Sequence, residues 1–391
     1  MEFKKYKMED VATFSQGKQV EIENQYTEQK ENMKRFLRII DFTNPNEPIR
    51  YVEDFGDRYY ATKDDLVMIR YGSQTCGKVV IGKEGIIANN MFKINLDNST
   101  ILNRYAYYYL KQDIVYNYLR GSQNSSTMPS INFGILNKLE IEVPSIDNQK
   151  KIIKILNDID QKIELNNEIN NNLLQLCRYK YDELNKKYDE WDLVKINDLN
   201  LEVTDYVANG SFKSLADNVT LYDDKEYALY VRNTDLKVNF TDKRKYVDQK
   251  SYEFLKKSKL KGGELIISNV GDVGSVFICP HLNMPMTLGS NVIMLYETDS
   301  HYYNYFLYFF FTSVYGQYMI GGITGGSAQP KFNKTDFRNM EIKFPAFDEL
   351  DKFNAEIDPI YKKYELNIKE NEKLSELRDT LLPKLMNGEI D

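Results

Sequence analysis

The fold is decided by a stretch of sequence that occurs twice, as MPSINFGILNKLEIEVP at residues 128–144 and as QPKFNKTDFRNMEIKFP at residues 329–345. At an offset of 201 residues, five of the 17 pairs are identical: Pro129/Pro330, Asn132/Asn333, Glu140/Glu341, Ile141/Ile342 and Pro144/Pro345. The offset continues without a gap in both directions, and the 33 pairs that follow contain ten identities. Similarity at a fixed offset is the signature of a repeated structure, so the chain is predicted to be a tandem duplication.

The beginnings of the two copies also correspond. EFKKYKMEDV (2–11) resembles EWDLVKINDL (190–199) at an offset of 188, so the second globular part carries 13 extra residues. Between these anchors, DDLVMIRYGSQTCGKVVI (64–81) weakly matches GELIISNVGDVGSVFI (263–278). In each, two β-branched runs flank a loop that contains glycine, which predicts a β-hairpin.

After Pro144 the apolar residues change to the three-and-four spacing of a coiled-coil seam. In the first copy, the seam comprises Ile152, Leu156, Ile159, Ile163, Asn166, Asn170 and Leu173. In the second copy, the same steps give Phe353, Ile357, Ile360, Tyr364, Asn367, Asn371 and Leu374. Each copy has two asparagines at the same seam positions, where a buried amide fixes register if it finds a partner. The alternative, that these asparagines are exposed and the register is one step off, stays open.

The first helix is predicted from Asn148 to Tyr188, about 60 Å long at 1.5 Å per residue. The second is expected to end near Leu382, because Pro383 disfavours helical geometry in the residue before it. Pro359 lies inside the second seam and removes a backbone donor, which predicts a break or bend near Asp358. An antiparallel pairing is favoured, since it places the two globular parts at opposite ends of a rod with approximate two-fold symmetry.

The predicted fold is therefore α+β, or mixed α/β, with two pseudo-symmetric globular domains separated by two long helices that form an antiparallel coiled coil. The predicted boundaries are 1–145 for the first domain, 146–189 for the central helix, 190–346 for the second domain and 347–391 for the distal helix.

Composition limits the classes of function. The formal net charge of -7 argues against a general nucleic-acid coat. Three scattered cysteines (Cys76, Cys177 and Cys279) indicate a reducing, cytoplasmic setting. No signal peptide and no apolar run long enough to cross a bilayer are found, so no membrane partner is expected.

The sequence offers no catalytic constellation. Neither histidine, His281 or His301, has a partner at metal-ligand spacing, and both are predicted to be ordinary loop residues. Glycine-rich phosphate-binding motifs are absent, as is the Asn-Pro-Pro-aromatic motif of amino-methyltransferases. The chain is therefore predicted to bind no cofactor or metal and not to be an enzyme by itself.

Polar, glycine-containing loops recur in both copies, and their side-chain types form bidentate contacts with base edges. Residues 232–261 also carry a net charge of +6, which favours either a solvated face or a phosphate contact. The candidate DNA-binding residues are Arg70, Gln74, Lys78, Ser122, Gln123, Asn124, Arg232, Lys243, Arg244, Lys245, Ser268, Asn269, Ser327, Gln329 and Lys331. For any single one of them, an ordinary turn is the competing interpretation.

The organisation resembles the specificity subunit of type I restriction–modification systems over essentially the whole chain. The resemblance is carried by GSAQPKFNKTDFRNMEIKFPAFDEL (326–350), by EIEVPSIDNQKKI (140–152) and by ELRDTLLPKLMNGEI (376–390). The first copy departs from the family pattern, since it has QNSSTMPSIN where the family has a form closer to GSAQPKF.

The resemblance implies that each domain recognises half of a bipartite sequence in double-stranded DNA, and that the helices set the spacer between the halves. It further implies two modification subunits, which bind S-adenosylmethionine and methylate adenine N6, and restriction subunits that use ATP and Mg²⁺. Two alternatives remain from the residues: a coiled-coil adaptor with two peptide- or protein-binding domains, and a fused fragment of a methyltransferase or nuclease.

Overall fold

The computed structural model describes residues 2–44, 47–72, 75–121, 130–238, 240, 243–297, 302–326 and 328–390. The chain divides into two compact units, one of Met1–Asp160 with Glu376–Asp391 and the other of Gln161–Ser375. Each unit therefore contains a globular part and segments of both long helices.

The first unit combines three antiparallel or mixed sheets with short helices. Its strands are β1 (Phe3–Lys7), β2 (Ala12–Gln16), β3 (Met33–Leu37), β4 (Arg50–Glu53), β5 (Tyr60–Ala61), β6 (Leu66–Ile69), β7 (Val79–Val80), β8 (Gly85–Ile87), β9 (Met91–Leu96) and β10 (Glu140–Pro144). Its helices are α1 (Met8–Val11), α2 (Ile39–Thr43), α3 (Asn103–Lys111), α4 (Asp113–Gly121), α5 (Phe133–Asn137) and the start of α6 (Ile146–Asn185). The strand orders are β1-β10, β2-β9-β6-β7 and β4-β3-β8-β5.

The second unit repeats this plan. Its strands are β11 (Asp192–Lys195), β12 (Glu202–Asp205), β13 (Leu221–Tyr222), β14 (Ala228–Val231), β15 (Lys245–Val247), β16 (Lys259–Leu260), β17 (Leu265–Ser268), β18 (Val276–Ile278), β19 (Met286–Leu288), β20 (Val292–Tyr296) and β21 (Glu341–Phe344). Its helices are α7 (Phe212–Asn218), α8 (Asn233–Lys237), α9 (Gln249–Phe254), α10 (Asn304–Phe311), α11 (Val314–Ile323), α12 (Lys334–Arg338) and most of α13 (Phe347–Met386). The strand orders are β11-β21, β12-β20-β17-β18 and β13-β15-β14-β19-β16.

The strand pairings reproduce the repeat derived from the sequence. Tyr6 pairs with Ile141 in the first copy, and Val194 pairs with Ile342 in the second. The first residue of each pair is related by the offset of 188 and the second by the offset of 201, so both copies pair their first and last strands in the same register. The parallel pair β3–β8 has its counterpart in β14–β19. Within this plan, α7, β13 and α9 are additions of the second copy.

Both predicted hairpins are confirmed. Strand β6 pairs antiparallel with β7, and β17 pairs antiparallel with β18. In each loop the same backbone bond closes the turn, from Gly77 N to Ile69 O at 2.9 Å and from Gly274 N to Ser268 O at 3.0 Å. Both glycines have positive φ, 86° and 92°, a conformation that residues with a Cβ rarely adopt.

The matched asparagines of the repeated stretch cap the short helix that follows. Asn132 Oδ1 accepts from Ile135 N, and Asn333 Oδ1 accepts from Asp336 N, both at 2.9 Å. An N-cap side chain satisfies a donor that the first helical turn leaves unpaired. The cap directs the chain into the last strand of each globular part, where Ile141 and Ile342 are fully buried.

The two long helices each run for 40 residues, α6 over Ile146–Asn185 and α13 over Phe347–Met386. The predicted break near Asp358 is wrong, since α13 is helical through Pro359, whereas a bend there stays a prediction; the predicted end near Leu382 falls four residues short. Pro359 and Pro383 are both exposed. The carbonyls that they leave without a donor therefore have access to water, and burial of the opposite side of the helix outweighs the local cost.

Antiparallel pairing of α6 and α13 is visible inside each unit. In the first unit, Arg378 Nη1 lies 3.0 Å from Asp160 Oδ1, and Leu156 shares a core cluster with Leu382. In the second unit, the ion pairs Lys180–Glu356 and Lys162–Glu370 measure 2.8 and 3.3 Å. The α+β class with an antiparallel helix pair is therefore confirmed.

Candidate nucleic-acid interface

The loop after β6 places Arg70 at the meeting point of three segments. Its backbone N donates to Asn90 O at 2.8 Å, and its O accepts from Ile131 N at 3.0 Å. The side chain is half-buried; Nη1 donates to Gln16 Oε1 at 2.7 Å, and the guanidinium lies 5.0 Å from the ring centroid of Tyr71. This fixes the side chain beside the loop while part of it remains accessible.

Further polar groups surround this arginine. Gln16 Nε2 donates to Asn89 O, and Asn89 Nδ2 donates to Gln19 Oε1 at 2.7 Å. Lys78 lies at the other end of the loop and is half-buried, with its carbonyl bound by Ile69 N at 2.9 Å. The amides of residues 16, 19 and 89 were not predicted, because they come from separate segments that only the sheet brings together.

In the second copy, Asn269 occupies the place of Arg70. Its N donates to Asn291 O and its O accepts from Phe332 N, both at 3.1 Å. Its Nδ2 donates to Phe332 O at 3.3 Å, and the side chain is half-buried. Ser268, by contrast, is fully buried, so its hydroxyl does not reach the surface in this conformation.

Two further loop candidates of the second copy lie on the surface. Gln329 and Lys331 are exposed, and the backbone of Lys331 exchanges two 2.9 Å hydrogen bonds with that of Gly325. This bridge holds the two ends of the loop 325–331 together. The candidates Gln74, Ser122, Gln123, Asn124 and Ser327 lie outside the described residues.

Some of the cationic side chains in the basic stretch 232–261 form ion pairs within the chain. Arg244 Nη1 lies 3.0 Å from Glu372 Oε1 on α13, and Lys245 Nζ lies 2.6 Å from Asp223 Oδ1. Lys243 is exposed. Among the other exposed lysines of the stretch, four form no ion pair with the described part of the chain: Lys250, Lys256, Lys257 and Lys261.

Arg232 belongs to a structural motif that sequence reasoning missed. Its N and Nε both donate to Asp235 Oδ2, at 2.8 and 2.9 Å. Arg38 binds Asp41 in the same way and at the same distances. Both aspartates are 2% exposed, and each pair caps a short helix after a strand. The shared spacing, RIID at 38–41 and RNTD at 232–235, was the available signal.

Side chains of the seam are largely buried in the structure. The buried members are Ile152, Leu156, Ile159, Asn166, Asn170, Phe353, Ile357, Asn367 and Asn371. The half-buried members are Ile163, Leu173, Ile360, Tyr364 and Leu374.

Hydrogen bonds join the buried seam asparagines in pairs. Asn166 Nδ2 donates to Asn371 Oδ1 at 2.9 Å, and Asn367 Nδ2 donates to Asn170 Oδ1 at 2.8 Å. The repeat offset of 201 converts one pair into the other. Glu370 adds a bond from Asn166 at 2.8 Å, and this hydrogen bond lowers the pKa of the Glu370 carboxyl.

His281 contacts a long helix and is more than an ordinary loop residue. Its Nδ1 lies 2.8 Å from Glu365 Oε1 on α13. The hydrogen bond to this carboxylate raises the pKa of His281 above its ordinary value of 6.5, against the opposing effect of burial. The contact attaches the β18–β19 connection to the helix.

Two kinds of site are absent from the part of the chain that the structure describes. No group of three or more His, Cys, Asp or Glu side chains there is arranged to hold a metal ion. No helix there is both long and apolar enough to cross a membrane.

This chain is similar in sequence to known proteins. The model of the family described as type I restriction modification DNA specificity domain matches residues 1–175 and again 188–376, which follows the duplication. The type I restriction enzyme MjaIX specificity subunit of Methanocaldococcus jannaschii is 24% identical over 350 residues, covering 80% of this chain and 75% of that protein. The MjaVIII specificity subunit of the same organism is 20% identical, covering 87% of this chain and 82% of that protein.

A solved structure supports the fold assignment. The type I restriction–modification system S subunit from M. genitalium superposes with a TM-score of 0.53 at 15% identity, covering 98% of this chain and 96% of that one. At this level of identity the likeness concerns the fold, which the two chains share over nearly their full lengths.

Proposed function

Because the chain belongs to the family of type I restriction–modification DNA specificity domains, we propose that it is the sequence-reading subunit of such a system. Each globular part reads one half of a bipartite target in double-stranded DNA, and α6 and α13 set the spacer. The domains 1–145 and 190–346 are the two readers in this proposal. Family membership favours this function over the adaptor with peptide- or protein-binding domains.

The main observation behind the proposal is that one loop position has the same backbone hydrogen bonds in both copies but a different side chain in each. Arg70 and Asn269 make the same pair of backbone bonds to equivalent partners in their two copies, yet one side chain is a cation and the other is an amide. Two readers of different half-sites require such a combination, because base contacts specify the sequence whereas phosphate contacts only position the protein.

Exposed leucines that are identical in the two copies are candidate contacts for partner subunits. Leu165 and Leu366 are identical in the repeat and remain 50% and 60% exposed. Leu176 and Leu377 form a second identical pair, 44% and 47% exposed. Because burial within the chain does not explain these leucines, we assign them to the docking of two modification subunits, one for each copy of the repeat.

The chemistry belongs to the partners in this proposal. The modification subunits hold S-adenosylmethionine and methylate adenine, restriction subunits use ATP and Mg²⁺, and this chain supplies the sequence specificity without a cofactor of its own.

Methylome sequencing tests the proposal. The chain is co-expressed with its modification subunit in a host that lacks adenine methylation, and methylated sites are mapped. We expect one bipartite motif with a fixed spacer, and DNA binding by the complex that weakens steeply as salt rises. A complex that assembles but methylates no bipartite motif would contradict the proposal.

A further inference from the structure

The two hairpin loops differ in length and sequence, yet one position in each is held identically. Arg70 N donates to Asn90 O, and Asn269 N donates to Asn291 O. Arg70 O accepts from Ile131 N, and Asn269 O accepts from Phe332 N. The acceptors at 90 and 291, like the donors at 131 and 332, are related by the repeat offset of 201.

The neighbouring bonds extend this equivalence along the strand. Ile69 N donates to Lys78 O at 2.9 Å, and Ser268 N donates to Ser275 O at 2.8 Å. The hairpin of the second copy is thus two residues shorter between its closing bonds. The residue that follows the strand nevertheless makes the same backbone hydrogen bonds in both copies. Residues 70 and 269 are therefore the same site in two readers.

At this shared site, each copy presents a side chain with a distinct preference for a base. An arginine forms a bidentate pair with O6 and N7 of guanine, and an asparagine forms one with N6 and N7 of adenine. Arg70 carries five N–H donors: Nη1 donates to Gln16 Oε1 at 2.7 Å, and the buried Nε has no partner among the described residues. Asn269 uses Nδ2 for a 3.3 Å bond to Phe332 O, which orients the amide plane at the loop.

We propose that residues 70 and 269 are specificity-determining positions, with Arg70 reading a guanine in one half-site and Asn269 reading an adenine in the other. Because the two residues share one frame, the two bases occupy the same place in their half-sites, at equal distance from the spacer. This inference rests on the proposed function and names the bases that the two sites recognise.

The test compares methylomes of the complex with wild-type chain, Arg70→Gln and Asn269→Ala. Arg70→Gln is expected to change or relax one guanine position of the first half-site, with a roughly 5- to 100-fold loss of discrimination there. Asn269→Ala is expected to relax one adenine position of the second half-site. In each variant the other half-site and the spacer stay unchanged, which provides an internal control.

Arg58→Gln is the matched control, since Arg58 is exposed in the same domain and lies 5.5 Å from the ring centroid of Tyr59, much as Arg70 lies beside Tyr71. This variant should keep the wild-type motif. Unchanged motifs in both test variants, or a uniform loss of methylation without a change of motif, would overturn the inference. Relaxed positions at unequal distances from the spacer would overturn the equivalence. A wild-type complex without any bipartite motif would instead overturn the proposed function.

Discussion

At the scale of single residues, the seam asparagines show how one repeated residue type serves two copies. Asn166–Asn371 and Asn367–Asn170 are buried amide pairs related by the repeat. A register shift of one helix would separate both pairs at once, and a buried amide without a partner costs free energy. The asparagines therefore favour the observed register over a shifted one.

Asn170→Leu removes one acceptor from this arrangement. It leaves Asn367, 1% exposed, with an unpaired buried amide, so the free energy of unfolding should fall by about 1–3 kcal/mol. Chemical denaturation measures the change, and Asn171→Leu at the adjacent exposed position is the control. Equal stability of the two variants would show that the pairing is energetically unimportant.

The His281–Glu365 contact predicts a pH dependence. Because the pKa of His281 is raised in the folded state, the folded state binds the proton more tightly than the unfolded state does. The stabilisation is complete below about pH 6.5, the ordinary pKa of histidine. It is lost as pH rises through the higher pKa of His281 in the folded state. Denaturation at a series of pH values should show a smaller decline in stability above about pH 6.5 for His281→Gln than for wild type; parallel curves for the two proteins would contradict this role of His281.

Residue chemistry was predictable where the repeat singled it out. The buried seam asparagines and the capping pair Asn132/Asn333 are identical in both copies, so comparison of the copies identifies them. The Arg38–Asp41 and Arg232–Asp235 pairs lie in the divergent parts at another offset, and their R-x-x-D spacing is short enough to occur by chance. The shared geometry is what distinguishes them from a chance spacing.

At the scale of elements, tertiary packing overrides a local signal in α13. The helix continues through Pro359 although proline costs about 3 kcal/mol in a helix interior. Ile357 and Tyr361, on either side of it, are at most 5% exposed. The prediction from the sequence counted the missing donor but not the burial of the neighbouring turns.

Pro359→Ala should therefore stabilise the chain. The substitution restores a backbone donor at an exposed position and is expected to raise the free energy of unfolding by about 1–3 kcal/mol. Pro48→Ala, at an exposed loop position, is the control and should leave stability unchanged or slightly reduced. A destabilised Pro359→Ala variant would mean that the helix needs the proline.

At the scale of the whole molecule, the repeat separates what is shared from what differs. Apart from the added edge strand β13, the sheet orders occur in both units, as do the hairpin frame and the helix pair, whereas α7, β13 and α9 occur in the second copy alone. Patterns that extend over many residues, such as the seam and the repeat at an offset of 201, were predictable because many positions contribute to each. The contacts of Gln16, Asn89 and Arg70 were not, since they depend on strands far apart in sequence.

The shared exposed leucines predict the stoichiometry of assembly. Leu165→Lys should reduce bound modification subunits from two to one, and Leu165→Lys with Leu366→Lys should abolish binding, because a charge replaces an apolar contact in each site. Mass measurement of the purified complex reads the number directly. Asn172→Lys, a charge added at an exposed position of α6, is the control; two bound partners in the double variant would place docking elsewhere.

The central claim is that each copy reads its own half of the target. It is tested most directly by the methylome of a chain in which residues 190–345 are replaced by the equivalent segment of another family member. One half of the methylated motif should change, while the other half and the spacer length stay the same. A motif in which both halves change, or neither does, would contradict the account.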